Sequence, residues 1–136
     1  MEEKFSLLNK TRSKMPSMPF SSLKEDILGK NYFLSLAYIT EAEMRKINKA
    51  YRKKDKATNV LSFPLSKSSG EILLCPEIIK KETGKFGRNM RGLLGFLVIH
   101  GMLHLKGMEH SSKMEALENK YDKKHFGGNR HRIHHD

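Results

Sequence analysis

Three histidines near the end of a predicted helix have the types and spacing that chemistry needs. His100 and His104 are four residues apart, so their imidazoles lie on one face of a helix. Gly107 lets the backbone leave that helix in a left-handed conformation and bring His110 back toward them. Three neutral imidazoles with an open fourth position suit a divalent transition metal. We therefore predict that His100, His104 and His110 bind a metal; the alternative is ordinary histidines on a polar helix face.

The residue after the first histidine separates this pattern from that of a peptidase. The long zinc-protease signature, H-E-x-x-H-x-x-G-x-x-H, has the same spacing and carries its glutamate general base at that position. Gly101 occupies it here. The ligand spacing is kept and the protease base is missing, which argues against a metallopeptidase.

The chain is strongly basic. Its 136 residues include 26 lysines and arginines against 15 acidic residues, a formal net charge of +11. Such a charge attracts polyanions, of which nucleic acid is the commonest in a cytoplasm. We expect a nucleic-acid partner. An anionic membrane surface is the weaker alternative, because no basic amphipathic helix stands out, and plain solvation is a third.

Length and cysteine content favour one cytoplasmic domain, residues 1–136. A chain of this size forms a single domain with its own core. No apolar run approaches the roughly 20 residues that span a bilayer, and the first residues lack the layout of a secretory signal. Cys75 is the one cysteine, which excludes an internal disulfide and suits a reducing compartment. We expect a buried structural thiol, no membrane partner and a cytoplasmic location.

Periodicity and capping patterns then supply the elements that position these residues. Strands are predicted at residues 31–39, 59–63 (ended by Pro64) and 71–74. Helices are predicted at residues 21–28, 40–51, 76–82, 89–105 and 112–124, with capping boxes at 40–43 and 112–115. Residues 1–20 are expected to be irregular, because Pro16 and Pro19 oppose a long helix. Residues 126–136 are expected to form a mobile basic tail with solvated histidines.

The predicted fold class follows from these elements. It is α/β (α+β): a single domain in which a small mixed β-sheet of about four strands packs with about five helices. The histidines place the metal site on the helix at 89–105, which is central and largely apolar.

Two stretches of the chain resemble the bacterial YbeY family. Residues 100–110, HGMLHLKGMEH, are similar to the family signature H-G-x-L-H-L-x-G-x-D-H. Residues 48–64 independently resemble the family block N-x-x-Y-R-x-K-D-x-x-T-[DN]-V-L-S-F-P, and shorter likenesses occur at 70–72 and 114–118. Glu109 and Glu71 stand where the family has aspartate, one methylene shorter. The resemblance covers roughly residues 31–122.

The resemblance implies a function. YbeY proteins are metal-dependent endoribonucleases of ribosomal-RNA maturation, so we expect single-strand-specific cleavage at the 3′ end of 16S rRNA precursors and a role in ribosome quality control. The implied partners are single-stranded RNA, chiefly rRNA, and the ribosome or its small subunit. The implied cofactor is one divalent transition metal per chain, with zinc expected and nickel as the alternative.

The resemblance also implies roles for individual residues. Arg52, inside the matching block, would be catalytic by binding the scissile phosphate. Lys53, Lys54 and Lys56 would extend a groove that binds the RNA backbone. Taken singly, each of these residues would be interpreted as a surface charge. The general base is unassigned: Glu109 is a candidate, and support of a histidine ligand is its alternative role. The alternative function is a ribosome-associated RNA-binding or assembly factor with a purely structural metal.

Overall fold

A mixed sheet lies in the middle of the protein in the computed structural model, which describes residues 4–127. Its four strands are β1 (Phe5–Asn9), β2 (Phe33–Tyr38), β3 (Val60–Ser66) and β4 (Ser69–Leu74). Their order is β1-β2-β4-β3, so β1 and β3 are the outer strands. The pairs β1–β2 and β2–β4 are parallel, whereas β3 and β4 form an antiparallel hairpin.

Five helices surround this sheet within the described part of the chain. They are α1 (Phe20–Ile27), α2 (Glu41–Arg52), α3 (Pro76–Glu82), α4 (Met90–Leu105) and α5 (Ser112–Phe126). Capping explains where two of them begin. The Thr40 hydroxyl accepts a hydrogen bond from the Glu43 amide at 3.2 Å, and the Asn89 side chain accepts one from the Gly92 amide at 2.8 Å. Four strands and five helices in one small domain confirm the predicted fold class.

Alternation along the strands divides the core into two parts. Leu36 of β2 and Ile72 of β4 belong to the cluster formed with α1, α4 and α5. Ala37 and Leu73, their chain neighbours, point to the opposite face and pack with Met44 of α2. Helix α4 is apolar over most of its length and is buried without a break from Leu93 to Ile99, as expected of a helix covered on several sides. Its C-terminal end, with His100 and His104, is therefore held by the whole core.

The expectation that residues 1–20 are irregular was wrong, because β1 lies within them. Its sequence has no alternation of apolar and polar residues, and Leu7 and Leu8 are exposed. Strand β1 exists because its backbone pairs with β2, from Phe5 opposite Leu34 to Asn9 opposite Tyr38. A pairing of that kind leaves no periodicity for a local pattern to detect.

Three predicted boundaries also move. Strand β3 continues past Pro64 to Ser66, with an irregular register between them; an outer strand tolerates a proline where a central one does not. Helix α5 is capped by Ser111, whose hydroxyl accepts from the Met114 amide, rather than by Ser112. Phe126 belongs to α5 and its ring packs against Gly95, so the predicted mobile tail does not begin there. The rest of that tail, residues 128–136, lies outside the described residues.

The buried thiol predicted at Cys75 is confirmed: the side chain is fully buried, and burial raises its pKa. Among residues 4–127, no helix combines the length and the apolar character that crossing a membrane requires.

Candidate active site

A cleft of about 360 Å³ opens beside the outer strand β3. Three elements far apart in sequence meet there: the C-terminal end of α2, strand β3 and the last turns of α4. The cleft is lined by Arg52, Val60, Leu61, Ser62, His100 and His104. The fold therefore brings the predicted catalytic arginine together with two of the three predicted metal ligands.

The end of α2 fixes the position of Arg52. Lys53, the next residue, closes the helix in a left-handed conformation with φ of 60°, which costs a non-glycine residue roughly 1–2 kcal/mol. Asn48 is buried and offsets that strain. Its side-chain amide nitrogen donates to the Lys56 carbonyl at 2.8 Å, and its backbone carbonyl accepts a hydrogen bond from the Lys53 amide. The turn that follows Arg52 is thus tied to the helix that carries it.

His100 and His104 lie one turn apart on α4, and their rings meet. The two Nε2 atoms are 3.0 Å apart, and the ring centroids are separated by 4.4 Å with the planes nearly perpendicular. The helix then ends as predicted. Gly107 has φ of +96°, and the Met108 amide donates to the Leu103 carbonyl across the terminus.

The Nδ1 atoms determine what the facing Nε2 atoms can do. His104 Nδ1 lies 2.9 Å from the Met108 carbonyl, which can only accept, so this nitrogen bears the ring proton of a neutral His104. His100 Nδ1 contacts the Glu118 carboxylate at 2.5 Å, which favours the same tautomer. Two neutral rings in this tautomer direct Nε2 lone pairs at each other, an arrangement that a shared cation stabilises.

Glu118 is the functional side chain that the sequence analysis missed. It is 1% exposed on α5, and its carboxylate orients His100 from the side opposite to the cleft. A carboxylate behind a histidine in this way is typical of metal centres, where it fixes the ring and raises its basicity. Glu118 follows the buried Met114 by four residues and so lies on the apolar face of α5. An acidic residue on a buried helix face is the sequence feature that could have indicated its role.

The surroundings of His104 favour its neutral form. Burial lowers its pKa below the ordinary value, and the neighbouring His100 and the more remote His110 lower it further. The contact with the Met108 carbonyl and the charge of Glu118 oppose the shift. A neutral imidazole is the form that binds a metal.

His110 is not among the residues that line the cleft. It lies exposed in the segment between α4 and α5, together with Glu109. Among residues 4–127, no group of three histidine, cysteine, aspartate or glutamate side chains is arranged to hold a metal ion. Lys53, Lys54 and Lys56 are exposed in the turn after α2, beside Arg52.

Close packing explains why Gly101 stands where a peptidase has glutamate. A Cβ atom at this position would lie 2.9 Å from Ser62 Oγ and 3.1 Å from Ile72 Cδ1, because α4 crosses the sheet there. The Ser62 hydroxyl donates to the Gly101 carbonyl at 3.2 Å and holds the crossing. A larger residue would have to displace the Ser62 hydroxyl and the end of the Ile72 side chain.

The fold and the cleft define a class: small basic α/β proteins with an imidazole pair and a guanidinium at one sheet edge. A family model described as "Endoribonuclease YbeY" matches residues 4–126. The chain therefore belongs to the YbeY family, a family of RNA-cleaving hydrolases, and the predicted resemblance is confirmed.

Individual relatives agree with this assignment. The endoribonuclease YbeY of Staphylococcus carnosus is 32% identical over 107 residues, 70% of this chain and 70% of that protein. The endoribonuclease YbeY of Polynucleobacter asymbioticus is 39% identical over 94 residues, 62% of this chain and 61% of that protein. A Thermotoga maritima protein solved in solution matches with a TM-score of 0.64 at 27% identity, covering 90% of this chain and 89% of that one.

Proposed function

We propose that this protein is a metal-dependent endoribonuclease that cleaves single-stranded RNA, with ribosomal-RNA precursors as its substrate. The observation that supports this most directly is that Arg52 and the facing pair His100–His104 line one cleft. A cation for the phosphate and nitrogen ligands for a metal, brought to one place, suit metal-assisted phosphodiester hydrolysis.

The donor chemistry of the histidine pair fits a transition metal. His100 and His104 would hold it through Nε2, and His110 is the proposed third ligand. Zinc is the expected ion, with nickel as the alternative, since imidazole suits both. A divalent ion bound there would supply Lewis-acid chemistry, lowering the pKa of water toward about 7 and polarising a phosphoryl oxygen.

The protein's own side chains have separate tasks in this proposal. Arg52 presents a planar, permanently charged guanidinium that can donate two parallel hydrogen bonds to a phosphate and stabilise the charge that develops on it. Glu118 keeps His100 in the tautomer whose Nε2 faces the cleft. Glu109 is the candidate general base. Lys53, Lys54 and Lys56 extend the positive surface from Arg52 along the RNA backbone.

The wider role rests on family membership and charge. We propose that the 3′ end of 16S rRNA precursors is processed in the cytoplasm, on or near the small ribosomal subunit, and that the same activity serves ribosome quality control. A cleft of about 360 Å³ at a sheet edge favours a single strand, because one exposed phosphodiester must reach the histidines.

The test is cleavage of an end-labelled single-stranded rRNA fragment by the wild type, Arg52→Ala and Lys46→Ala. Lys46 lies on the same helix, is exposed and does not line the cleft, so Lys46→Ala matches the charge change elsewhere. We expect Arg52→Ala to lower kcat/KM by about 10²- to 10³-fold, the usual effect of removing a group that stabilises transition-state charge. Lys46→Ala should stay within about twofold of the wild type, because its contribution is screened surface charge.

Circular dichroism and metal content measured on each variant ensure that folding and metal loading are equal. Equal cleavage by the wild type and Arg52→Ala would contradict the role of Arg52 and point to a contaminating nuclease. RNA binding without cleavage by the metal-loaded wild type would favour the alternative, a ribosome-associated binding factor with a structural metal.

A further inference from the structure

An exposed aromatic ring on α2 packs against a half-buried ring on β3. Tyr51 is the residue before Arg52 on α2 and is 72% exposed. Its ring meets the ring of Phe63 on β3 edge to face, with centroids 5.5 Å apart and planes at 66°. A tyrosine this exposed buries little apolar area, so its packing contributes little to the stability of the fold.

Both rings belong to residues next in sequence to residues of the cleft. Tyr51 is the chain neighbour of Arg52, and Phe63 that of Ser62; both Arg52 and Ser62 line the cleft. Phe63 is half-buried and packs on the second core cluster beside Leu61. Its ring is therefore anchored, and it packs against the Tyr51 ring at the end of α2 that carries Arg52.

The charge around the pair indicates which partner it fits. Four cations, Arg52, Lys53, Lys54 and Lys56, follow Tyr51 within five residues. Exposed aromatic rings beside a row of cations are the combination by which proteins bind single-stranded nucleic acid: bases stack on the rings while the cations hold the backbone. An apolar protein partner would gain nothing from the cations.

We propose that Tyr51 is a base-stacking residue, on which an unpaired base adjacent to the scissile phosphate stacks while Phe63 supports the ring. This inference rests on the proposed function, and it explains why the proposed endoribonuclease would prefer single-stranded RNA. A base inside a duplex is already stacked and paired on both sides, so only an unpaired base can cover Tyr51. Stacking is tolerant of base identity, so Tyr51 selects strandedness rather than sequence.

Binding without cleavage tests this separately from catalysis. The probe is a fluorescein-labelled 2′-O-methyl single strand, followed by anisotropy, in a set whose members each carry one abasic site at a different position. The proteins are the wild type, Tyr51→Ala, Tyr51→Phe and Leu8→Ala. Leu8 is 59% exposed on β1, at the opposite edge of the sheet, and serves as the control for loss of an exposed apolar side chain.

We expect Tyr51→Ala to raise the Kd for the intact strand by about 5- to 100-fold, the usual effect of losing one stacked base. Tyr51→Phe, which keeps the ring, should restore most of the affinity, and Leu8→Ala should bind as the wild type does. One abasic position should weaken binding to the wild type and leave Tyr51→Ala unaffected. A matching duplex should bind Tyr51→Ala and the wild type equally.

An unchanged Kd for Tyr51→Ala would overturn the inference, as would a loss of equal size for the duplex or for every abasic strand. The proposed function fails differently, through equal cleavage by Arg52→Ala and the wild type. The two failures are therefore distinguishable, since stacking is measured as binding to a strand that gel electrophoresis shows to stay intact during the titration.

Discussion

At the scale of single residues, the contact between Glu118 and His100 would prepare the cleft for the proposed metal. The carboxylate is buried and lies 2.5 Å from Nδ1, so it fixes which nitrogen faces His104. We expect Glu118→Gln to weaken zinc binding by about 10- to 100-fold, the usual cost of losing a carboxylate behind a histidine ligand. Competition with a chromophoric chelator measures the affinity directly and needs no RNA.

Glu115→Gln is the matched control, because Glu115 is on the same helix and outside the histidine contact. It should bind zinc as the wild type does. A Glu118→Gln protein that is folded and binds zinc with unchanged affinity would show that Glu118 is a structural residue of the α4–α5 interface only.

At this scale, contacts within one helix could be predicted from the sequence, whereas contacts between elements could not. The pairing of His100 with His104 was predictable, because four-residue spacing on a helix fixes which side chains meet. The role of Glu118 was not, since its partner is 18 residues away and on another helix. Tyr51 stood inside the matching block, but its exposure is set by the tertiary packing of α2 and β3. The role of His110 as a third ligand stays a prediction.

At the scale of elements, a buried ion pair attaches α5 to the start of α4. The Arg88 guanidinium donates two hydrogen bonds to the Asp122 carboxylate, both at 3.1 Å, and the two side chains are 4% exposed. Asp122 lies one turn beyond Glu118 on α5. The ion pair therefore also fixes the position of α5 along α4, and with it the contact of Glu118 with His100.

We expect Asp122→Asn to lower the free energy of unfolding by about 3–5 kcal/mol, because it leaves the Arg88 charge buried without its counter-charge. Urea denaturation followed by circular dichroism measures this. A loss below about 1 kcal/mol would contradict the account and would mean that water reaches Arg88.

Asp26→Asn provides a comparison, because Asp26 joins α1 to the C-terminal end of α5. Asp26 on α1 accepts from Lys124 at 2.8 Å and contacts His125 at 2.9 Å, in a more exposed position. We expect a loss of at most about 1 kcal/mol, as for other surface pairs. The hydrogen bonds from Lys124 and His125 lower the pKa of Asp26. Its contribution is therefore complete above the ordinary value of 3.8 and is lost as the pH falls through the lowered pKa.

The elements themselves were largely predictable where a local cause exists. Helices α2 and α4 begin where Thr40 and Asn89 offer side-chain oxygens, and α3 begins at Pro76, whose fixed φ suits a first turn. Strand β1 and the extension of β3 past Pro64 were not predictable, because both depend on lying at a sheet edge. Strand order is a tertiary property, and no local pattern contains it.

At the scale of the whole molecule, the net charge of +11 must be distinguished from the few cations proposed to contact RNA. Only charges that neutralise a phosphate release its counterions, whereas the remaining charge acts through a screened field. If Arg52, Lys53, Lys54 and Lys56 each neutralise one phosphate, the proposed groove makes four such contacts. The salt dependence of binding then reports the groove rather than the total charge.

We expect the logarithm of the association constant for a single strand to fall with the logarithm of salt concentration with a slope of about −3, since each phosphate contact contributes about −0.7. Lys54→Ala should make the slope shallower by about 0.7. Lys46→Ala removes the same charge outside the cleft and should leave it unchanged. Titrations between about 50 and 200 mM salt, the range over which counterion release is usually measured, give all three slopes. Equal effects of the two substitutions would mean that the basic surface attracts RNA through its overall field, with no defined groove beside Arg52.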